Sequence, residues 1–81
     1  MDTNHLVRMA NQIATFFAAY PEPEAIAETA THLSQFWDRR MRDKLAQHVA
    51  AGGEGLTPIA LAAAQELSAA AAARESSAPT A

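Results

Sequence analysis

The 81-residue chain contains no cysteine, which excludes disulfide bonds and also zinc or iron–sulfur sites with thiolate ligands. No apolar run reaches the roughly 18 residues that span a bilayer, and no basic N-terminal region precedes such a run. We therefore expect a soluble, cytoplasmic protein. Cations are also scarce, and the net charge of -3 at pH 7 argues against general affinity for nucleic acids.

Signals for a catalytic or metal site are absent as well. All three glycines lie between Gly52 and Gly55. This run lacks the Lys-Ser/Thr ending of a phosphate loop and follows no strand pattern, so a helix–helix connection is the preferred interpretation. His5, His32 and His48 fall on three different predicted helices, which favours surface or half-buried histidines over a metal site. Of these, His48 is predicted to need a hydrogen-bond partner. No catalytic, cofactor-binding or metal-ligating residue is assigned.

Helical periodicity is the main feature that the sequence does contain. Apolar residues in the N-terminal part fill one stripe of a helix, which predicts a first helix from His5 to Tyr20. This helix should end at Tyr20 because the residue before Pro21 is disfavoured in the helical conformation. The apolar stripe comprises Leu6, Met9, Ile13, Phe16, Phe17 and Tyr20.

Start and stop signals predict further helices. Pro23 fits the first position of a second helix, where a missing N–H is tolerated. We favour a break or kink near Phe36 to Asp38, because Asp38 is a good cap for a new helix starting at Arg39. The apolar stripe itself continues across this point, so an uninterrupted helix is the alternative.

The C-terminal part contains one more predicted helix. Gly52 can take the left-handed conformation that ends a helix, and Thr57-Pro58 is a cap followed by a first-turn proline. The last helix is predicted from Pro58 to about Ala73. The fold class is therefore all-α, a small antiparallel bundle of three or four helices with short Pro/Gly turns. We predict a helical domain over residues 1–73 and a disordered tail over residues 74–81.

The stretch from His32 to Val49 holds the only Trp and a cluster of arginines. Two of these arginines have an acid four residues away, in the pairs Asp38–Arg42 and Arg39–Asp43, so a solvated face with surface ion pairs is one interpretation. We favour an anchor for an acidic partner, because Trp beside Arg is typical of interface hot spots. The predicted partner-binding residues are Phe36, Trp37, Arg39, Arg40, Arg42 and Leu61.

Leu61 belongs to this set for a separate reason. It lies across the last helix from Ile59 and Leu67, so a small bundle should leave it exposed unless something covers it. We predict that a partner protein contacts it.

Four stretches of the chain carry a family resemblance: HLVRMANQIATFF, the Pro-bounded turn with Glu24-Ala25, HLSQFWDRRMRDKL and GGEGLTPIALAA. The most specific parts are FW-x-x-RM-R from Phe36 to Arg42 and GG-x-GL-x-P from Gly52 to Pro58. Over roughly residues 4–67 the chain resembles the delta subunit of soluble NAD-dependent formate dehydrogenases that use molybdenum or tungsten. In that family the position of Arg39 is often Pro.

The resemblance implies a non-catalytic small subunit of an oxidoreductase complex. It would bind the catalytic alpha subunit and support assembly, stability or metal-cofactor loading of the complex. In such complexes the catalytic subunit carries molybdopterin guanine dinucleotide with Mo or W, together with iron–sulfur clusters, and other subunits carry FMN and react with NAD. We expect no cofactor on this chain itself, and neither nucleic acid nor membrane among its partners.

Two other classes of protein are alternatives to an accessory subunit. A DNA-binding helix-turn-helix protein is disfavoured by the net negative charge of the chain. Salt-dependent binding to DNA in a mobility-shift assay would reveal such a protein. A free-standing helical chaperone or adaptor, not stoichiometric in the complex, is the alternative that the sequence alone leaves open.

Overall fold

A computed structural model describes residues 2–76, with side chains over residues 2–70. The helices are α1 (Thr3–Phe17), α2 (Glu22–Phe36), α3 (Arg39–Ala50) and α4 (Pro58–Ser76). No strand occurs among the described residues, and the all-α prediction is confirmed. Helix α2 packs against α1 and α4. Helix α3 also packs against α1 and α4.

The core of the bundle is rich in alanine. Its largest fully buried apolar side chains are Leu6, Leu33 and Leu45, and Trp37 is 5% exposed. Among the described side chains, six of the eleven buried hydrophobic residues are alanines, which let helices approach closely but bury little area each. The buried polar residue Thr29 donates its hydroxyl to the carbonyl of Ala25 at 2.7 Å, so its burial leaves no unpaired group.

The joint between α1 and α2 lies earlier than predicted. Helix α1 ends at Phe17, three residues before Tyr20, because the chain tightens into a turn in which the amide of Tyr20 donates to the carbonyl of Phe17 at 3.0 Å. Helix α2 then begins at Glu22, so Pro23 occupies the second helical position instead of the first. The proline is tolerated there because that N–H has no partner within the helix.

The predicted break between α2 and α3 is confirmed. Trp37 is extended, with φ -95° and ψ 135°, and α3 starts at Arg39. The Asp38 carboxylate accepts a hydrogen bond from the amide of Met41 at 2.9 Å, as expected of a helix cap. The new helix therefore starts at Arg39 without a proline at this position, because the cap supplies the start signal.

Helix α3 ends at the glycines as predicted. Gly52 has φ +124°, a conformation that residues with a Cβ rarely adopt. The amide of Gly53 donates to the carbonyl of His48 at 2.9 Å, and the amide of Gly52 donates to that of Val49 at 3.0 Å. These two bonds form a Schellman motif, which satisfies carbonyls at the end of the helix.

Helix α4 starts where predicted and ends later. The hydroxyl of Thr57 accepts from the amide of Ala60 at 3.4 Å, and the helix runs over Pro58–Ser76, three residues beyond the predicted end at Ala73. Residues 77–81 lie outside the described residues, so the disordered tail remains a prediction. Within the described chain, none of the helices combines the length and the hydropathy that a membrane span requires.

Candidate docking surface

Five ring-bearing side chains form a continuous strip on one side of α1 and α2, which we call the aromatic surface: Phe16, Phe17, Tyr20, His32 and Phe36. Neighbouring rings contact one another, with centroids from 4.5 Å apart for His32 and Phe36 to 6.3 Å for Phe17 and His32. Phe16 is 74% exposed, Phe36 69% and Tyr20 49%. The aromatic surface is thus a contact area that the folded chain leaves uncovered.

The apolar stripe predicted for α1 is wider than its buried face. The buried residues of this helix are Leu6, Val7, Ala10 and Ala14. Because alanines occupy the helix contact, the neighbouring helices lie close to the backbone on that side. Phe16 follows Ala14 by two positions, or about 200° around the helix, and therefore points away from the contact. Periodicity indicated an apolar residue here but not its exposure.

A cleft of about 320 Å³ lies between α1 and α2 beside the aromatic surface. It is lined by Gln12, Ile13, Phe16, Phe17 and His32. None of these side chains is a carboxylate, a lysine or an arginine. The cleft therefore suits apolar side chains of a protein better than a charged cofactor, whose burial would need compensating charges.

The three arginines of the predicted anchor, Arg39, Arg40 and Arg42, differ in their contacts. The Arg39 Nε lies 3.7 Å from a carboxylate oxygen of Asp43, which confirms that predicted pair. The Arg42 Nε donates to the backbone carbonyl of Asp38 at 3.4 Å, while the Asp38 carboxylate accepts from the amide of Met41. Arg40 is exposed and forms no ion pair with any described residue. Of the three, Arg40 is the one most available to a partner.

The two adjacent aromatics at the end of α2 have different environments. Trp37 is 5% exposed and packs in the core, whereas Phe36 is 69% exposed. The extended conformation at Trp37 turns its indole inward, while Phe36, the last residue of α2, stays on the surface. A docking protein would therefore meet Phe36 first, and the contact predicted at Trp37 remains a prediction.

Comparison with known families identifies the group to which this sequence belongs. A family profile described as "NADH-dependant formate dehydrogenase delta subunit FdsD" matches residues 5–64, well over half of the chain. The chain belongs to this delta-subunit family. Comparisons with curated proteins and with solved structures gave no significant match. The predicted resemblance is confirmed, and the chain is a formate dehydrogenase subunit by family.

The GG-x-GL-x-P stretch of this delta-subunit family member is a loop held from two sides. The Asn11 side-chain amide donates to the carbonyl of Gly55 at 2.9 Å, and its oxygen accepts from the amide of Thr57 at 3.0 Å. The His48 Nε2 lies 2.7 Å from the carbonyl of Glu54, which confirms the predicted need for a partner. Sequence analysis missed Asn11, whose partners lie 44 and 46 residues away.

Leu61 is covered by the same loop. It is half-buried, and its Cδ1 lies close enough to Gly53 that a Cβ built there would come within 2.7 Å. The premise that the bundle leaves Leu61 exposed is therefore wrong, because the chain itself supplies the cover. Whether a partner subunit also touches Leu61 remains a prediction.

The delta-subunit chain offers few ligands for the groups associated with such complexes. The residues that the structure describes contain no group of three or more His, Asp or Glu side chains suited to a metal ion. Thiolate ligands for iron–sulfur clusters are missing because the sequence has no Cys. The described residues therefore supply no such ligand set for a metal ion, and the sequence supplies no thiolate for an iron–sulfur cluster.

Proposed function

We propose that this chain is a non-catalytic small subunit that binds the catalytic alpha subunit of an NAD-dependent formate dehydrogenase. Its role is to support the assembly, stability or metal-cofactor loading of that subunit. The observation that carries the proposal is the match of the delta-subunit family to residues 5–64. Membership of this family makes the chain part of a complex. The residues of the chain suit the binding of another protein better than catalysis.

The composition of the core supports a docking role. An 81-residue chain buries only about 60–65% of its unfolded surface, and alanine contributes little area to that burial. Small domains of this kind often gain stability from disulfides, metals or association. Disulfides are excluded because the sequence has no cysteine, whereas association with another protein remains possible. Binding to a partner stabilises the folded state by mass action.

The exposed aromatics support the same role. Phe and Tyr are enriched at the centres of protein interfaces, and here Phe16, Tyr20 and Phe36 are between 49% and 74% exposed to solvent. We propose that the metal centre, the iron–sulfur clusters and the FMN lie on other subunits, and that this chain acts on them only through the subunit it binds. The predicted contacts at Phe36, Arg39, Arg40 and Arg42 belong to this docking role.

The experiment is to produce the complex with and without this chain. With the full chain tagged, we expect the catalytic subunit to copurify in a one-to-one ratio. The complex made without it should show less formate oxidation per catalytic subunit. Metal content per catalytic subunit then separates two roles: reduced content indicates support of cofactor loading, and full content with faster loss of activity indicates stabilisation.

Two results would count against this proposal. Recovery of the chain far below the amount of the catalytic subunit would favour the free-standing chaperone or adaptor. A complex with full activity, metal content and lifetime in the absence of the chain would remove the supporting role altogether.

A further inference from the structure

The aromatic surface is too small to be a complete interface by itself. A Phe or Tyr side chain buries about 150–250 Å² when covered, so the exposed fractions of Phe16, Tyr20 and Phe36 leave roughly 400 Å² for a partner. A standard interface covers about 800 Å² of each protein. A partner seated here must therefore also cover the residues at the two ends of the strip, and the charges there restrict which partner fits.

The end of the strip at Tyr20 is acidic. Glu24 lies in the first turn of α2, shortly after Tyr20, and Glu28 comes one turn later, four residues before His32. Both glutamates are exposed, and neither forms an ion pair with a described residue. Glu22 lines the separate groove between α2 and α4, so a partner that covers this end meets the two carboxylates of Glu24 and Glu28.

The end of the strip at Phe36 carries Arg40, an exposed cation that forms no ion pair with a described residue. The groups beside it are of both signs, since Arg39 is paired with Asp43 at 3.7 Å and the Asp38 carboxylate caps α3. The exposed Arg8 precedes Gln12, a residue of the cleft, by one turn of α1. Since α1 runs from Arg8 towards Tyr20, Arg8 lies at the end of the cleft that is remote from the glutamates.

The two charged ends are separated by the length of α2. This helix has 15 residues and is therefore about 22 Å long at 1.5 Å per residue. Between the ends lie the aromatic rings and the uncharged cleft. At this distance, well beyond a Debye length of about 8 Å at physiological ionic strength, each end interacts with its own partner charges.

We infer that the aromatic surface binds an apolar segment of the catalytic subunit whose two ends carry opposite charges. The acidic end of that segment lies against Arg40 and the basic end against Glu24, and an apolar side chain enters the cleft between Phe16 and His32. This inference rests on the proposed function and adds to it the docking face, the chemistry of the bound segment and its direction.

The apolar part is tested with the full chain, tagged and produced together with the complex. Phe16→Ser combined with Phe36→Ser removes the two most exposed rings without touching the core, and Ser and Phe have similar helix propensities. The matched control is Gln35→Ser combined with Gln65→Ser, two exposed positions in the separate grooves between α2 and α4. We expect the apparent Kd for the catalytic subunit to rise at least about tenfold in the first variant and to stay within about twofold in the control.

The direction of the segment is tested with single charge reversals, Arg40→Glu and Glu24→Lys. Two oppositely charged ends predict that each reversal weakens binding about tenfold at low salt, with both effects shrinking as salt rises. A uniformly acidic partner would instead bind Glu24→Lys more tightly, and a uniformly basic one would bind Arg40→Glu more tightly. Either of these outcomes overturns the inferred arrangement.

The outcomes separate this inference from the proposed function. If the unmodified chain fails to copurify with the catalytic subunit, the proposed function fails. If the unmodified chain copurifies and the serine pair binds as well as its control, only the inference is overturned. Circular dichroism of each variant checks that its helicity is retained. If the serine pair unfolds, binding by the Phe16→Leu, Phe36→Leu variant and by the charge reversals tests the inference instead. A dimer of the isolated chain that the serine pair converts to monomer would assign the surface to self-association instead.

Discussion

Reversing the charge of Arg40 should stabilise the isolated chain while weakening its docking. Helix α3 begins with Arg39 and Arg40 and has no acidic residue in its first turn. The helix dipole places partial positive charge at this end, so cations here are unfavourable and anions favourable, each by about 0.3–1 kcal/mol. Arg40→Glu changes the charge by two units at an exposed site where no described residue forms an ion pair with the arginine.

The expected gain is modest. The two dipole contributions suggest about 0.6–2 kcal/mol. Repulsion from Asp38 and Asp43, which line the same shallow surface hollow as Arg40, subtracts a few tenths of a kcal/mol, roughly. We therefore expect a net stabilisation of about 0.5–1.5 kcal/mol, which raises Tm by roughly 2–12 °C in a domain of this size.

Thermal unfolding followed by far-UV circular dichroism measures this change in the isolated full chain. Arg40→Gln removes the cation without adding an anion and should give about half of the gain. Arg8→Glu makes the same reversal beyond the first turn of α1 and should change the free energy of unfolding by less than about 0.5 kcal/mol. The gain at position 40 should also shrink in 1 M salt. A lower Tm for Arg40→Glu, with helicity intact, would mean that Arg40 makes a stabilising contact within the chain, and the reasoning would be refuted.

Three further substitutions test the fold. Gly53→Ala should cost about 1–2 kcal/mol by urea unfolding, because φ is +65° and the new Cβ would meet Leu61; stability within 0.3 kcal/mol of wild type, roughly, would contradict this. Asp38→Ala should cost about 0.5–2 kcal/mol through loss of the cap of α3, and an unchanged chemical-denaturation midpoint would show that the cap is dispensable. Asn11→Ala should cost about 1–3 kcal/mol and speed amide exchange at Thr57, whose N–H loses its partner; unchanged exchange there would exclude the proposed clamp.

The helix joints could be predicted from the sequence because their signals are local. Asp38 supplies a cap within three residues, Gly52 supplies a positive φ, and Thr57 precedes a first-turn proline. Each signal needs only neighbouring residues to act. The end of α1 was placed three residues late for a related reason. Pro21 limits how far a helix can run, but the backbone of residues 18–20 leaves the helix before that limit.

The candidate site was predicted only in part because exposure depends on what the rest of the chain covers. Periodicity placed Phe16 on an apolar stripe, but the buried contact is made by alanines on the other side of α1. Leu61 shows the opposite error, since a loop that no helical pattern describes covers it. Of the two ion pairs predicted around the start of α3, one is present. Arg39 pairs with Asp43, whereas Arg42 donates to the backbone carbonyl of Asp38 instead of its carboxylate.

Two departures from local preference lie close together at the end of α2. At Asp38 and Gly52, the residue choice agrees with the preference for a helix cap and for a positive φ. Around Phe36 it does not, because a large ring is left in solvent and Arg40 stands at a helix end that disfavours cations. Neither feature stabilises the isolated chain, and both have the chemistry of an interface. Departures of this kind are expected at functional sites. Because both lie at the same end of α2, a docking role there explains them better than two independent surface features without function.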